Sequence, residues 1–353
     1  MTAGSTSLSV MGRAGVGALR FHLTGAKQPL TAWIAVTNRC DAMCSDCGYP
    51  LRTGREMSTT AVMDLIDGLA DRGCQSVFFT GGEPLVRADL PQLVARARDR
   101  RLWVGLETNG YRYPELADAI GPVSRILIPV DGDEAVHDQI REPGAYARAV
   151  AAIDAARARG VGVTTVTTLN RHNLALADAI VALAEAKGAL AEFRLLFHNP
   201  VLDGGTSREL APEPAALRRT LRSLLEARRR GRPVATSERT LRWLIDWDDY
   251  ARPTRGGAGV EPNCMAGLTH LYIDPDGAIY PCRQRVGAGS GGNIAVEGLD
   301  AAFDQCRGDA CRSCIATDLV ERNLIDRFDA PAMLGAARNI LRRTRTATAV
   351  GSG

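Results

Sequence analysis

The sequence predicts an α/β protein, a partial (β/α)6 TIM-like barrel followed by a small C-terminal domain. Three observations predict it. From Thr31 a short apolar run, a loop and an amphipathic helix recur six times; the rhythm stops after Pro200; and five of the nine cysteines crowd into residues 264–314. Strands alternating with helices form βαβ units, whose right-handed crossovers build a parallel sheet. Six units close only part of an eight-fold barrel, and chemistry then belongs at the carboxyl ends of the strands.

Residues 1–30 mix Gly, Ser, Thr and Arg without a period and read as a loosely ordered lead-in. Strands are expected at Trp33–Thr37, Ser76–Thr80, Leu102–Glu107, Arg125–Val130, Val163–Leu169 and Glu192–Phe197. Helices between them include Ser58–Asp71, Asp89–Arg100, Ala145–Arg159 and Asn173–Ala186. Ser58 is a plausible N-cap for the first, with Met63, Ile66, Leu69 and Ala70 at helical spacing. Asp203-Gly204-Gly205 ends the last unit, and Pro212–Arg232 reads as a helix with a strongly basic face, closing a barrel of 31–232. In the second unit, 233–327, Pro253–Gly259 reads as a Gly-rich hinge. Leu271–Ile273 and Ala278–Tyr280 flank the turn Asp274-Pro275-Asp276-Gly277 as a hairpin. A helix from Ala330 and a polar tail complete 328–353.

A chain of 353 residues with 45% hydrophobic side chains carries enough apolar mass for a sizeable core. Its 43 basic and 40 acidic residues, a net +3, are too balanced to point to nucleic acid or a membrane surface as partner. Nearly all the basic residues are Arg; Lys27 and Lys187 are the only lysines. No stretch approaches the roughly 18 apolar residues of a membrane-spanning helix. Met1–Leu30 lacks the compact apolar core of a signal peptide. The expectation is a cytoplasmic protein with reduced thiols, so nine cysteines call for something other than a disulfide framework.

Cys40, Cys44 and Cys47 fall in the loop after the first strand. Three thiolates do not fill a tetrahedral zinc site without a remote fourth ligand, whereas they suit a [4Fe–4S] cluster with one open iron. A zinc clip or three unconnected core thiols are the alternatives. Thr80-Gly81-Gly82-Glu83-Pro84 ends the second strand, Glu107-Thr108-Asn109-Gly110 the third, and Asp131-Gly132 with His137, Asp138 and Arg141 follows the fourth. Strand-end turn chemistry is the plain reading of Asn109 and Arg141.

A Cys-x3-Cys-x2-Cys loop one strand before Gly-Gly-Glu-Pro resembles the radical S-adenosylmethionine (SAM) superfamily. The resemblance implies that Cys40, Cys44 and Cys47 hold a [4Fe–4S] cluster to which SAM binds. Gly81, Gly82, Glu83 and Pro84 would receive its methionine amino group, with Asn109 and Arg141 as further SAM contacts. It also implies reductive cleavage to a 5′-deoxyadenosyl radical that abstracts hydrogen from a substrate C–H bond, fed by a flavodoxin- or ferredoxin-type donor. The family usually has an aromatic residue before the last cysteine to frame the adenine; here it is Asp46, with Tyr49 as a substitute.

Cys264 and Cys282 bracket the expected hairpin, and Cys311-Arg-Ser-Cys314 is a CxxC unit. With Gly277 and Gly292-Asn293-Ile294, this pattern resembles the twitch domain, the shortened form of SPASM. The resemblance implies an auxiliary [4Fe–4S] cluster on Cys264, Cys282, Cys311 and Cys314; a zinc knuckle of four cysteines is chemically adequate too. A closed cluster favours electron transfer, hence oxidation of a substrate radical, with a general base left unassigned. Cys74 reads as a small buried hydrophobe, and Cys306 as a ligand, a spectator or a hydrogen donor that would make an epimerase. His22, His172, His198 and His270 sit in no motif, and Gly287–Gly292 opens no helix that would cradle phosphate. The basic face of Arg218–Arg232 reads as solvated surface, or as a dock for an acidic reductant or phosphorylated substrate.

The expected function is oxidation or epimerisation of a small sugar-like or aminocyclitol-like metabolite, as a dehydrogenase or epimerase of secondary metabolism. A maturase of a ribosomally made peptide is the second reading, weakened by the lack of an obvious N-terminal domain for a leader peptide. A non-catalytic zinc-binding protein is the third.

Overall fold

The computed structural model describes residues 15–17, 19–45, 47–205, 207–256, 264–289, 291–306 and 311–339. The strands are β1 (Thr31–Thr37), β2 (Ser76–Gly81), β3 (Trp103–Glu107), β4 (Arg125–Pro129), β5 (Gly162–Leu169) and β6 (Leu190–Leu195), then β7 (Thr254–Arg255), β8 (His270–Ile273), β9 (Ile279–Tyr280) and β10 (Ser313–Cys314). The helices used below are α1 (Thr59–Asp71), α2 (Glu134–Ile140), α3 (Pro214–Arg229), α4 (Glu238–Ile245), α5 (Ile294–Gln305) and α6 (Thr317–Asp326).

β1 to β6 pair side by side in chain order, all parallel, as expected for a partial (β/α)6 barrel. All seven residues of β1 are buried, which fits a strand covered on both faces. The hairpin β8–β9 joins the same sheet: β8 runs parallel to β1, with Thr31 opposite His270, and β9 turns back antiparallel.

Outward side chains such as Ile34, Val36, Phe79 and Leu106 pack on the helices as the main core. Inward, Trp33 stacks on Phe78 at 5.2 Å and Phe78 tilts against Trp103 at 5.3 Å. Gly105 makes room for that ring, since a Cβ there would come within 2.4 Å of it. α6 packs against β6 and α4, and a helix over 330–339 follows it, as expected from Ala330. None of the described helices is long and apolar enough to cross a membrane.

Several boundaries differ from expectation; β1, for one, begins at Thr31 and not Trp33, and the helix expected over Pro212–Arg232 runs Pro214–Arg229. β6 starts at Leu190 and stops at Leu195, because its pairing with β5 runs from Thr164–Leu190 to Leu169–Leu195 and leaves Phe197 beyond the ladder. The helix expected from Asn173 starts at Ala177, since Asn173 accepts from Asn170 N–H at 2.9 Å and donates to Thr168 O at 2.9 Å, locking a turn. In the lead-in, residues 19–24 are helical, and His22 Nε2 lies 2.8 Å from Asp326 O. Part of the expected hinge, 257–259, lies outside the described residues.

Candidate active site

The second half of the loop carrying Cys40, Cys44 and Cys47 is tied to the barrel at two points. Ser45 donates from N–H and Oγ to Ile140 O, at 3.1 and 2.9 Å, and Gly48 N–H donates to Leu202 O at 2.7 Å. Gly48 must be Gly, because a Cβ would meet Gly204 N at 2.8 Å. All three thiols are half-exposed. Burial pushes the Cys40 thiol up to about 12; a coordinating metal reverses that by taking the thiolate. Arg141 Nη1 reaches Cys44 Sγ at 3.6 Å while its Nε donates to Asp131 at 2.6 Å.

The glycines after β2 serve this loop. A Cβ on Gly81 would fall 2.4 Å from Thr37 O, and one on Gly82 would fall 2.3 Å from Arg39 O. Gly82 N–H donates to Thr37 O at 2.9 Å and Glu83 N–H to Arg39 O at 2.8 Å, so the cysteine arc starts against this turn. Pro84 is buried at the start of a 3-10 turn. Glu83 is fully buried; its carboxylate accepts from Thr108 Oγ1 (2.6 Å), Leu85 N–H (2.9 Å) and Asn109 N–H (2.7 Å). Burial pushes it up to about 7. Asn109 Nδ2 donates to Asp41 at 2.8 Å, beside Cys40. Thus the strand-end segments of β1, β2 and β3 form one hydrogen-bonded unit around the thiols. Asp46 lies outside the described residues; Tyr49 is buried with its hydroxyl bonded to that of Tyr272.

The second group is assembled by two short ladders. β7 pairs with β10 so that Thr254 faces Cys314, and Cys264 N–H donates to Arg312 O at 2.6 Å. Cys282 arrives from β9. Cys264, Cys282, Cys311 and Cys314 all line one cavity of about 300 Å³. The Cys264 thiol donates a hydrogen bond to that of Cys311, which lowers the Cys311 thiol to about 7 and raises Cys264. Four thiols around a cavity of this size fit a closed cluster. Among the described residues, no three or more His, Cys, Asp or Glu side chains are arranged to hold a single metal ion.

Between the two groups lies a charged network that no sequence motif marks. Arg283, next to Cys282, stands 3.5 Å from Glu107 and 3.1 Å from Asp318. Glu107 also accepts from Thr80 Oγ1 at 3.0 Å and faces Arg194 at 3.4 Å, and Arg194 pairs with Glu192 at 2.6 Å. Although burial opposes it, Arg283 and Arg194 hold the Glu107 carboxyl below its ordinary value. Arg52 pairs with Asp274 at 3.0 Å along the same rim.

Cys306 is fully buried in the main core beside Phe303, with Lys27 Nζ on its carbonyl at 2.7 Å. It lines neither the four-thiol cavity nor the barrel interior. Cys74 is buried with its Sγ 3.2 Å from Ser76 O, a core thiol as expected. His198 Nδ1 lies 2.7 Å from Asp203, His270 is buried beside Asp326, and His172 Nε2 lies 3.2 Å from Arg171 Nε. On the expected basic face Arg219, Arg222, Arg229 and Arg230 are exposed, as a solvated surface requires, while Arg218 donates to Trp247 O at 2.8 Å, Arg228 to Val234 O, and Arg232 pairs with Asp178 at the surface. Gly287 packs on Val201 and Gly291 on Cys306, which accounts for both without phosphate.

Residues 34–181 match the Radical SAM superfamily. The chain is 31% identical over 271 residues to PqqA peptide cyclase of Xanthomonas campestris pv. campestris, covering 72% of this chain and 67% of the relative. Among solved structures it resembles Streptococcus suis SuiB bound to precursor peptide SuiA, with TM-score 0.62 and 16% identity over 83% of this chain and 68% of the other. It also resembles native anSMEcpe with bound AdoMet and a peptide, with TM-score 0.59 and 13% identity over 88% and 99%. The expected small sugar-like or aminocyclitol-like substrate is corrected by these findings, because the relative matched over 72% of the chain is a cyclase of a peptide. The expected dehydrogenase or epimerase gives way with it. The chain belongs to the radical SAM superfamily, an enzyme of SAM and a [4Fe–4S] cluster.

Proposed function

We propose that this chain is a maturase that forms an intramolecular bond in a ribosomally made precursor peptide. The observation that carries this reading is the 31% identity with PqqA peptide cyclase over 72% of the chain. Cys40, Cys44 and Cys47 would hold the cluster that binds SAM, and Cys264, Cys282, Cys311 and Cys314 an auxiliary [4Fe–4S] cluster in a twitch-like unit spanning 233–327. When bound, these groups supply hydrogen-atom abstraction and a one-electron acceptor. Forming a bond with loss of two hydrogens needs both, since one hydrogen leaves as an atom and the other as a proton and an electron.

The chain's own residues hold this geometry. Gly81 and Gly82 let the turn approach β1, Glu83 and Pro84 fix it, and Asn109, bonded to Asp41, and Arg141, beside Cys44, would contact SAM. Arg283 ties the strand that brings Cys282 to Glu107 at the carboxyl end of β3. The peptide takes the place of the small-molecule partner, and the reductant is of flavodoxin or ferredoxin type.

The test is anaerobic incubation of the reconstituted enzyme with SAM, reductant and precursor peptides encoded beside its gene. The expected product is a peptide lighter by two hydrogens, with 5′-deoxyadenosine formed alongside. Peptides left at their starting mass while 5′-deoxyadenosine accumulates would overturn the reading.

A further inference from the structure

The side chain of His198 lines the cavity of about 300 Å³ that the four thiols share. It follows Leu195, the last residue of β6, and so stands at the carboxyl end of the barrel, where chemistry belongs. Its segment is clamped to the chain that follows Cys282. Asn199 Nδ2 donates to Gln284 O at 3.3 Å and to Val286 O at 3.2 Å. Besides the four thiols, Arg285 is the other ionisable group on this wall among the described residues, and its guanidinium donates to Ala288 O at 3.0 Å. A guanidinium has no lone pair with which to take a proton, whereas a neutral imidazole has one.

The neighbours of His198 fix which of its nitrogens carries the proton. Nδ1 lies 2.7 Å from Asp203 Oδ2 and 2.8 Å from Ser207 Oγ. Asp203 also accepts from Asn199 N–H at 3.0 Å, from Gly205 N–H at 2.7 Å and from the Ser207 hydroxyl. Although burial opposes it, these bonds hold the Asp203 carboxyl below its ordinary value, so it is an ionised acceptor. Ser207 gives its proton to Asp203, which leaves its oxygen to accept from the ring. Both partners of Nδ1 are therefore acceptors. Nδ1 bears the proton, and in the neutral ring Nε2 keeps its lone pair. Nε2 has no hydrogen-bond partner among the described residues, and the side chain is 28% exposed.

We propose that His198 is the base of the bond-forming reaction, its Nε2 taking the proton that leaves the peptide while the electron passes to the auxiliary cluster. The inference rests on the maturase reading. Abstraction of a hydrogen atom leaves a carbon radical, and that carbon joins a second group of the peptide. Closing the shell then removes one electron, taken up at the four-thiol centre, and one proton, taken up at Nε2. The imidazolium faces the Asp203 carboxylate, which stabilises it, and releases the proton to solvent. The acceptors of the electron and of the proton line one cavity, so the two can leave the same site.

The test compares wild type, His198→Gln and His198→Gly as reconstituted holoenzymes with SAM, reductant and the precursor peptide encoded beside the gene. His198→Gln should keep full iron and sulfide and form 5′-deoxyadenosine as wild type does. Its yield of lighter peptide per 5′-deoxyadenosine should fall about 100-fold or more, as for loss of a general base. In His198→Gly, added imidazole should raise that yield at least about tenfold, whereas pyrazole, of the same shape and a far weaker base, should not. Carbethoxylation by diethyl pyrocarbonate gives a readout without turnover. His198 should be modified in the holoenzyme, and Asp203→Asn should slow this several-fold, because the ring loses the acceptor that keeps the proton on Nδ1. Undiminished yield from a folded His198→Gln, rescue by pyrazole equal to that by imidazole, or no modification of His198 would each overturn the proposal. Iron lost from His198→Gln would overturn it too, by making the ring a support of the cluster. No lighter peptide from wild type would bring down the maturase reading itself, and this inference with it.

Discussion

Arg283 Nη1 stands 3.5 Å from Glu107 Oε2, joining the residue beside Cys282 to the carboxyl end of β3. Its other nitrogen reaches Asp318 at 3.1 Å, so one guanidinium links the hairpin, the barrel and α6. Removing it leaves two largely buried carboxylates facing each other, with Arg194 as the remaining counter-charge. Arg283→Met should therefore destabilise the fold by about 3 kcal/mol, in the range for breaking a buried pair. Adding Glu107→Gln should recover part of that loss, because the uncompensated charge goes with it. A double-mutant cycle by urea unfolding measures this; strictly additive effects would show that the pair is not coupled.

Gly82 is placed by contact and not by flexibility. A Cβ there would fall 2.3 Å from Arg39 O and 2.6 Å from Asn38 O, both backbone atoms that cannot rotate away. Gly82→Ala should cost about 1–3 kcal/mol, as overpacking does. It should also shift the start of the arc that carries Cys40. Iron per chain after anaerobic reconstitution should fall toward half, with the loss confined to the SAM-binding cluster. Full iron with an unchanged melting temperature would refute the assignment.

His137 reports the state of the turn that carries Arg141. It is fully buried and its Nδ1 accepts from Asp131 N–H at 3.0 Å, and burial lowers its pKa from 6.5 to about 4. The folded-state value lies below the unfolded one, so the neutral ring's contribution is complete above about pH 6.5 and is lost as pH falls toward 4. Over that window the wild type should lose stability on the order of 2–3 kcal/mol from this group. His137→Gln, which keeps an acceptor and does not titrate, should flatten the decline. Urea midpoints across the window decide it, and equal slopes in the two proteins would count against a neutral His137.

The parts of the site that repeat a spacing were legible in the sequence. Cys40, Cys44 and Cys47, the Gly-Gly-Glu-Pro turn and the CxxC at Cys311 are each local patterns, and strand-end placement follows from the βα rhythm. Glu83 was legible as a residue of the site but not in its contacts: three donors from the chain itself surround its carboxylate. The network of Glu107, Arg194, Arg283 and Asp318 was not legible, because its members lie on three strand or loop ends and one helix, brought together by tertiary packing alone. Arginine is also nearly the sole basic residue of this chain, so neither Arg194 nor Arg283 stood out by type. Substrate class was misread for a related reason: it depends on the shape of the rim, which no spacing encodes.

The partition of the cysteines gives the last prediction. Seven thiols surround the two candidate centres, while Cys74 and Cys306 are buried among apolar side chains. Cys40→Ala and Cys264→Ala should each remove roughly half the iron and sulfide, because each takes one ligand from a different cluster. Cys306→Ala should keep all the iron and the turnover, and cost about 1–2 kcal/mol for the small cavity left beside Phe303. Iron and sulfide counts with 5′-deoxyadenosine formation separate the outcomes. Iron lost from Cys306→Ala would make that thiol a ligand after all. Full iron with lost turnover would return it to the reaction as a hydrogen donor, which its burial in the core argues against.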